Sequence, residues 1–357
     1  MRARWLIVVV TAALLVAAPL VVRARPAAPS SISAVELAAR IQGSEAVAWS
    51  GFVEAAGSLQ VPDSDSFASL VQLLGEDNQL RVWWRGVDDW RVDRIRSTGE
   101  TDLFRNESTS VRWVFESQTA TIAPVSRVRL PDESDLLPAT LARSLLQGAR
   151  PAELQRLPVR RVAGVDAPGV RLTPSEAAST VGRVDVWADA QTGLALQVEL
   201  SGLGDVRPVL TTRVRDLDLG PPAATTTRFV PADGVAVSYE QSVDVAAAAN
   251  AFAAYDLPAT LGGLGSRNSD DPGAVGVYGR GPTTLFALPV RGQVAGPLRQ
   301  RLRDSAAVQE TSVGTLLPVG PVTLLVTPRG RGGSFLLAGT VTPQTLQRAA
   351  TELLADL

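Results

Sequence analysis

Histidine, cysteine and lysine are all missing from this sequence of 357 residues. Without them the chain cannot form a Ser-His-Asp triad, a Cys-His pair, a Ser-Lys dyad, a Schiff base or a zinc site of His and Cys ligands. No disulfide can form, so the fold has to be stabilised by packing. Enzymes that depend on these chemistries are excluded, and we expect a protein that binds rather than catalyses.

Paired carboxylates are the remaining route to acid–base catalysis. Asp88 and Asp89 follow a glycine in a turn pattern, and Asp270 and Asp271 lie in a glycine-rich stretch. Both pairs are predicted to be solvated turn residues. The sequence also lacks the glycine-rich loop with Lys that cradles phosphates. It therefore predicts no catalytic residue, no metal ligand and no cofactor.

The charges are nearly balanced, with 34 basic and 36 acidic residues. A nucleic-acid partner is not expected, because phosphate binding needs clustered positive charge. At the N-terminus, Arg2 and Arg4 precede an apolar run over residues 5–22. This layout is typical of an export signal, and its length of about 18 residues also suffices to cross a bilayer. Residues 1–30 are interpreted as a signal peptide or an N-terminal membrane anchor, and the rest is expected outside the cytoplasm, in the cell envelope.

Short alternating runs of apolar and polar residues follow from residue 47 to residue 122, which predicts closely spaced antiparallel strands and one curved sheet. Successive side chains of a strand point to opposite faces. The alternation therefore turns Trp84 inward and Trp83 outward, and it places Trp113 and Phe115 together on one face. These aromatics fit either an ordinary core or the wall of a cavity for an apolar ligand.

A helix with a leucine stripe interrupts the strands. Asp135 is predicted to cap it and Gly148 to end it. The stripe makes this helix the best candidate for a lid over the sheet. A short helix with its own apolar stripe is predicted over residues 67–74. The candidate ligand-binding residues are Phe67, Leu70, Trp84, Trp113, Phe115, Leu137, Leu141 and Leu145.

Two segments in the first part of the chain carry a family resemblance. They are VAGVDAPGVRLTP from Val162 and VDVWADAQTGLALQVEL from Val184, the second with a predicted hairpin loop from Asp189 to Gly193. They resemble the lipoprotein-carrier superfamily typified by LolA and, more closely, the LolA-like half of the RseB/MucB sigma-factor regulators. The resemblance covers roughly residues 31–240. It implies an unclosed antiparallel β-barrel wrapped on helices, with a hydrophobic pocket for acyl chains.

Residues 241–357 show a second pattern, in which strands are accompanied by one intervening and one closing helix. Thr342 is predicted to cap the closing helix and Pro343 to occupy its first position. This order predicts a small α+β domain. The segments VGVYGRGPTTLFALPV from Val275 and LAGTVTPQTLQRAATELL from Leu337 resemble the C-terminal domain of RseB. The overall fold class expected is thus α+β with two domains.

Two functional classes stay open. The first is a carrier or sensor that binds a lipid or acyl chain in the concavity of the sheet. The second is a protein–protein regulator of a membrane partner, such as the anti-sigma factor implied by the resemblance or a transporter. Both fit a protein whose N-terminal segment contacts the membrane.

Alkaline phosphatase fused after Leu357 tests the expected placement. The arginines ahead of the apolar run should keep the N-terminus in the cytoplasm and send the remainder across. We expect an active reporter in cells that express the fusion. An abundant, intact but inactive fusion protein would rule out the extracytoplasmic placement.

Overall fold

Two β-sheets, one large and one small, follow each other along the chain. The computed structural model describes residues 27–59, 73–125, 131–232, 234–239, 256–267 and 274–356. The predicted boundary at residue 240 falls between the last strand of the large sheet and the first strand of the second part, and it stays a prediction. No helix in the described ranges has the length and apolarity to cross a bilayer. The proposed anchor at residues 5–22 lies outside those ranges.

Twelve strands form the large sheet. They are β1 Trp49–Gly57, β2 Asp77–Gly86, β3 Asp89–Arg96, β4 Gly99–Asn106, β5 Thr109–Val114, β6 Thr119–Pro124, β7 Leu154–Val162, β8 Val165–Leu172, β9 Val181–Ala188, β10 Ala195–Gly202, β11 Leu210–Leu219 and β12 Ala236–Tyr239. Their order is β12-β6-β5-β4-β3-β2-β1-β11-β10-β9-β8-β7. Only β12 pairs in parallel, with β6, and the other neighbours are antiparallel. Since the two end strands do not pair with each other, the expected unclosed sheet is confirmed.

Two helices, α1 (Ala34–Gln42) and α2 (Pro138–Leu146), pack on one face of the large sheet, here called the inner face. The buried side chains of both helices, of strands β1 to β4 and of strands β7 to β11 form one continuous apolar cluster. A third helix, α3 (Ala224–Thr227), is a single turn that contacts β2, β3 and β4. The main hydrophobic core of the large sheet therefore lies on the inner face, between the sheet and the two helices.

The helix starts differ in part from the predicted ones. At the start of α1, Ser33 Oγ accepts a hydrogen bond from the Glu36 backbone N–H at 3.1 Å, and the Glu36 carboxylate pairs with Arg40. The prediction that Asp135 caps the leucine helix is wrong. Asp135 belongs to a 3-10 turn over Glu133–Leu136 that is capped by Asp132, and α2 begins only afterwards, at Pro138. Proline favours this later start, because it is tolerated in the first turn of a helix.

The hairpin between β9 and β10 follows the sequence prediction. Asp189 Oδ1 accepts hydrogen bonds from the backbone N–H groups of Gln191 and Thr192, at 2.9 and 2.6 Å. Gly193 ends the loop with a positive φ of 74°, a conformation that favours glycine. The loop also docks on the end of α1, where the Arg40 guanidinium donates to the Ala190 carbonyl oxygen. The hairpin therefore ties the end of α1 to the sheet.

The small sheet has the order β15-β16-β20-β19-β18-β17. Its strands are β15 Gly276–Arg280, β16 Thr283–Val290, β17 Gln309–Thr311, β18 Gly314–Val319, β19 Val322–Val326 and β20 Ser334–Gly339, preceded by the short ladder β13 Thr260–Leu261 and β14 Leu264–Gly265. Helix α5 (Pro343–Asp356) packs on one face, and α4 (Gly292–Arg303) packs on the other. Thr342 Oγ1 accepts from the Thr345 backbone N–H at 3.3 Å, which confirms the predicted cap. The α+β prediction for this part is confirmed.

Gly193 offers a direct test of the hairpin. A Cβ at this position would overlap the Arg40 carbonyl, whereas Gly204, with a φ of 78° in the loop between β10 and β11, has no neighbour within 4 Å. Gly204→Ala should lower the free energy of unfolding by only about 1–2 kcal/mol, the cost of a left-handed backbone conformation for a residue with a Cβ. Gly193→Ala should cost about 1–3 kcal/mol more, because of overpacking against α1. Equal losses in urea unfolding would contradict the docking of this hairpin on α1.

Candidate functional site

Three tryptophans lie side by side across neighbouring strands on the inner face. The register pairs Trp49 of β1 with Trp84 of β2, and Trp84 with Trp90 of β3. Their exposed fractions are 1%, 5% and 7%. The Trp84 and Trp90 rings stack in parallel, with centroids 5.7 Å apart. Cross-strand pairs of this kind are strong packing units, and together they give the inner face a broad aromatic surface, the tryptophan row.

Helix α2 contributes the leucines to the same apolar cluster as the tryptophan row. Leu137 is fully buried just before the helix, and Leu145 is 9% exposed near its end. Leu141 packs against the cluster but is only partly buried. The start of α2 is fixed by the Thr212 hydroxyl of β11, which donates to the Leu136 carbonyl oxygen at 2.6 Å. Four predicted site residues, Trp84 and the three leucines, thus share one cluster.

A charged pair borders this apolar surface on the inner face. Arg112 of β5 donates two hydrogen bonds to the Glu133 carboxylate, at 3.2 and 3.1 Å. The Glu133 side chain is 3% exposed. Burial raises the pKa of Glu133, but the charge and hydrogen bonds of Arg112, together with the charge of Arg94, lower it by more, so the net shift is downward. The inner face therefore combines an apolar surface with the Arg112–Glu133 ion pair at its border.

The structure does not bring Trp113 and Phe115 to that surface. In the β4–β5 register, Leu103 of the inner face pairs with Arg112, so the next residue, Trp113, lies on the opposite, outer face. Phe115 follows β5 in a turn and is 58% exposed. The prediction that these two residues line the same pocket as Trp84 is corrected accordingly. Phe67 and Leu70 lie outside the described residues.

Sequence reasoning also left out two members of the tryptophan row, Trp49 and Trp90. Both stand at inward positions of alternating runs, the same signal that placed Trp84. What was missing was the register, which requires knowing that β1 and β3 flank β2. Once this order is known, alternation alone predicts that all three rings share a face.

The outer face carries a second layer, built around Arg91. Its guanidinium lies over the rings of Trp83 and Phe104, 5.1 and 4.9 Å from their centroids. The segment after β11, residues 220–232, passes over this face, and its Phe229 contacts Phe104 and Trp113, at centroid distances of 5.4 and 6.0 Å. We call this stretch the crossing segment. Because β12 lies at the far end of the sheet, the crossing segment covers the aromatic residues of the outer face.

Arg91 also holds two carboxylates beneath the aromatic layer. It donates to both oxygens of Asp93, at 2.6 and 2.8 Å, and to Asp102 at 2.7 Å. Asp93 and Asp102 are cross-strand partners and are 0% and 5% exposed. Glu100 completes a group of three carboxylates within 4.8 Å. Since Arg91 already binds the two buried acids, the arrangement is an ion-pair network.

Burial raises the pKa of Asp102 to about 7, and the neighbouring Asp93 carboxylate raises it further, whereas Arg91 opposes the shift. Burial raises the pKa of Asp93 as well. Two carboxylates this close share a proton readily and titrate as a pair. The pair therefore makes the outer face sensitive to pH near neutrality.

No protein-family model and no curated protein matches the sequence. Solved structures similar to this chain include the MucA/MucB complex of Pseudomonas aeruginosa, with 17% identity, 89% of this chain and 96% of that chain covered, and a TM-score of 0.48. MucB alone matches with 16% identity, coverages of 89% and 96%, and a TM-score of 0.47. A LolA-superfamily protein of Nitrosomonas europaea matches with 12% identity, coverages of 56% and 99%, and a TM-score of 0.24. Both families that the sequence resembles are thus among the structural neighbours.

The carboxyl pair predicts a specific pH dependence of stability. Because the folded chain binds the shared proton more tightly than the unfolded chain, the pair stabilises the fold below about pH 4, and this contribution is lost as the pH rises through about 7. Asp102→Asn should remove this decline and be more stable than wild type at pH 8. Asp88→Asn neutralises an exposed side chain and serves as the control. Urea midpoints from pH 4 to 8 that fall equally in wild type and Asp102→Asn would refute the shared proton.

Proposed function

We propose that the protein is a non-enzymatic extracytoplasmic binding protein of the LolA/RseB type. It holds the acyl chain of a lipid or lipoprotein against the inner face of the large sheet, as a carrier or envelope sensor. The N-terminal arginines and apolar run support the location, and the family resemblance of residues 31–240 supports the ligand class.

One observation carries this proposal. The tryptophan row and the leucines of α2 belong to one apolar cluster, and Leu141 lies at its partly exposed margin. An acyl chain that enters there gains about 0.8 kcal/mol for each methylene it buries. The Arg112–Glu133 pair at the border can face the polar end of the ligand. An amphiphile with one long apolar chain therefore fits both parts of the surface.

A second candidate function is regulation of a membrane partner, an anti-sigma factor or a transporter, without a small ligand. Apolar side chains exposed on the small domain favour it. Phe286 of β16 is 44% exposed and Val294 of α4 is 45% exposed. Phe286 alternates with Leu285 and Ala287, which pack under α5, so it lies on the face where α4 packs. Exposed apolar groups beside a helix are a frequent feature of protein interfaces.

The variant Leu141→Trp distinguishes between a filled core and a surface that admits a ligand. In a filled core the larger ring should cost about 1–3 kcal/mol of stability. On a surface that admits a ligand, it should instead block binding, with at least a tenfold loss of affinity for a fluorescent C16 fatty acid and little change in thermal stability. Val35→Trp places the same ring on a 46% exposed position of α1 and is the matched control.

Delipidated wild-type protein is required for this comparison, and native mass spectrometry of the protein as purified shows whether a lipid is retained. Wild type that binds no probe after delipidation would overturn the lipid proposal and favour the regulator. So would a Leu141→Trp variant that unfolds at a lower temperature while binding per folded molecule stays unchanged.

A further inference from the structure

The small domain contacts the large one at the hairpin of β15 and β16, through Arg280. Its guanidinium donates to the Gly148 carbonyl oxygen at 2.8 Å and to both oxygens of Glu153, at 2.9 and 2.6 Å. It also forms an ion pair with Glu176. A single side chain of the small domain therefore holds three positions of the large one.

Two of these positions directly follow α2, the helix over the inner face. Gly148 ends the turn after α2 with a φ of 70°, and Glu153 belongs to the next 3-10 turn. Gly281, next to Arg280, lies against the last turn of α2. A Cβ on Gly281 would stand 2.7 Å from the Leu145 carbonyl oxygen. The end of α2 therefore cannot shift without disturbing the hairpin of the small domain.

Glu153 is buried and connects this contact to a second loop of the large sheet. Its side chain is 2% exposed, and it accepts hydrogen bonds from the Arg150 and Ser175 backbone N–H groups, at 2.8 and 3.0 Å. The hydrogen bond from Arg280 holds the pKa of Glu153 well below its usual range, so the carboxylate stays ionised at physiological pH. The loop that carries Ser175 reaches the small domain again, where the Thr342 backbone N–H donates to the Ala178 carbonyl oxygen at 2.8 Å.

We propose that Arg280 is a latch that transmits movement of α2 to the small domain. The proposal rests on the proposed function, because the movement is the one that an acyl chain entering beside Leu141 imposes on the helix. Close-packed interfaces switch between arrangements rather than deform smoothly. Occupation of the inner face would thus change the exposure of the β15–β16 hairpin, and the small domain would report to a partner whether a ligand is bound.

Hydrogen exchange measured with and without a saturating fluorescent C16 fatty acid tests the latch. In wild type, the probe should change the exchange rates of amides in residues 276–290 at least threefold. Arg280→Gln should still bind the probe, but the change in residues 276–290 should disappear. Arg303→Gln breaks an ion pair with Glu310 inside the small domain and should behave like wild type.

Arg280→Gln leaves Glu153 buried and unpaired, which can impair folding. The double variant Arg280→Gln/Glu153→Gln removes both charges and serves as the second test protein. In the absence of probe, either variant should exchange the amides of Leu145 to Gln147 at least tenfold faster than wild type, with α1 unchanged.

The outcomes separate the two proposals. Wild type that binds no probe contradicts the proposed function, and the comparison without probe then tests the contact by itself. Probe binding without a change in residues 276–290, or with the same change in the Arg280 variants, overturns the latch alone. Unchanged exchange at the end of α2 in both variants overturns it as well.

Discussion

Burial of one face of the large sheet is the constraint on which the rest of the structure depends. The chain has no cysteine, so no covalent link restrains its twelve-stranded sheet. The sheet is held by the packing of α1 and α2 against side chains of β1 to β4 and of β7 to β11. Because an unclosed sheet has two free ends, the helices have to stay close to the inner face. Two hydrogen bonds hold them there, from Arg40 of α1 to the Ala190 carbonyl oxygen and from Thr212 of β11 to the Leu136 carbonyl oxygen.

The two faces of the sheet differ in how they exclude water. The inner face uses aliphatic and indole surface, which is non-directional and accommodates an apolar chain as readily as a protein side chain. The outer face uses a guanidinium stacked between Trp83 and Phe104 and bound to two buried acids. Such a network depends on fixed geometry, since an unpaired buried charge is costly. The inner face is therefore the one on which we propose that the ligand binds, whereas the outer face is covered by the crossing segment.

Much of the fold could be predicted from the sequence, because alternation and helix signals act locally. Alternation placed Trp84 inward and Trp83 outward, and the Asp189–Gly193 loop was predicted from its own residues. The errors arose where the answer depends on distant partners. Trp113 was assigned to the inner surface because alternation within one strand does not show which face the residues of the next strand occupy. That requires the register of the two strands. Asp135 was taken as the cap of α2 because the sequence does not reveal that Asp132 starts a separate 3-10 turn.

The site shows the same division between local and distant information. The leucines of α2 were found from their spacing, whereas Arg280 was not, because its partners Gly148 and Glu153 lie more than 120 positions away. Apolar patterns repeat along the chain, so they reveal a surface. A polar contact between distant parts of the chain involves single residues that do not recur at a fixed spacing, so only the folded chain reveals it. The apolar surface of the inner face is therefore predictable from the sequence, whereas the contact of Arg280 with Gly148 and Glu153 becomes visible only in the tertiary structure.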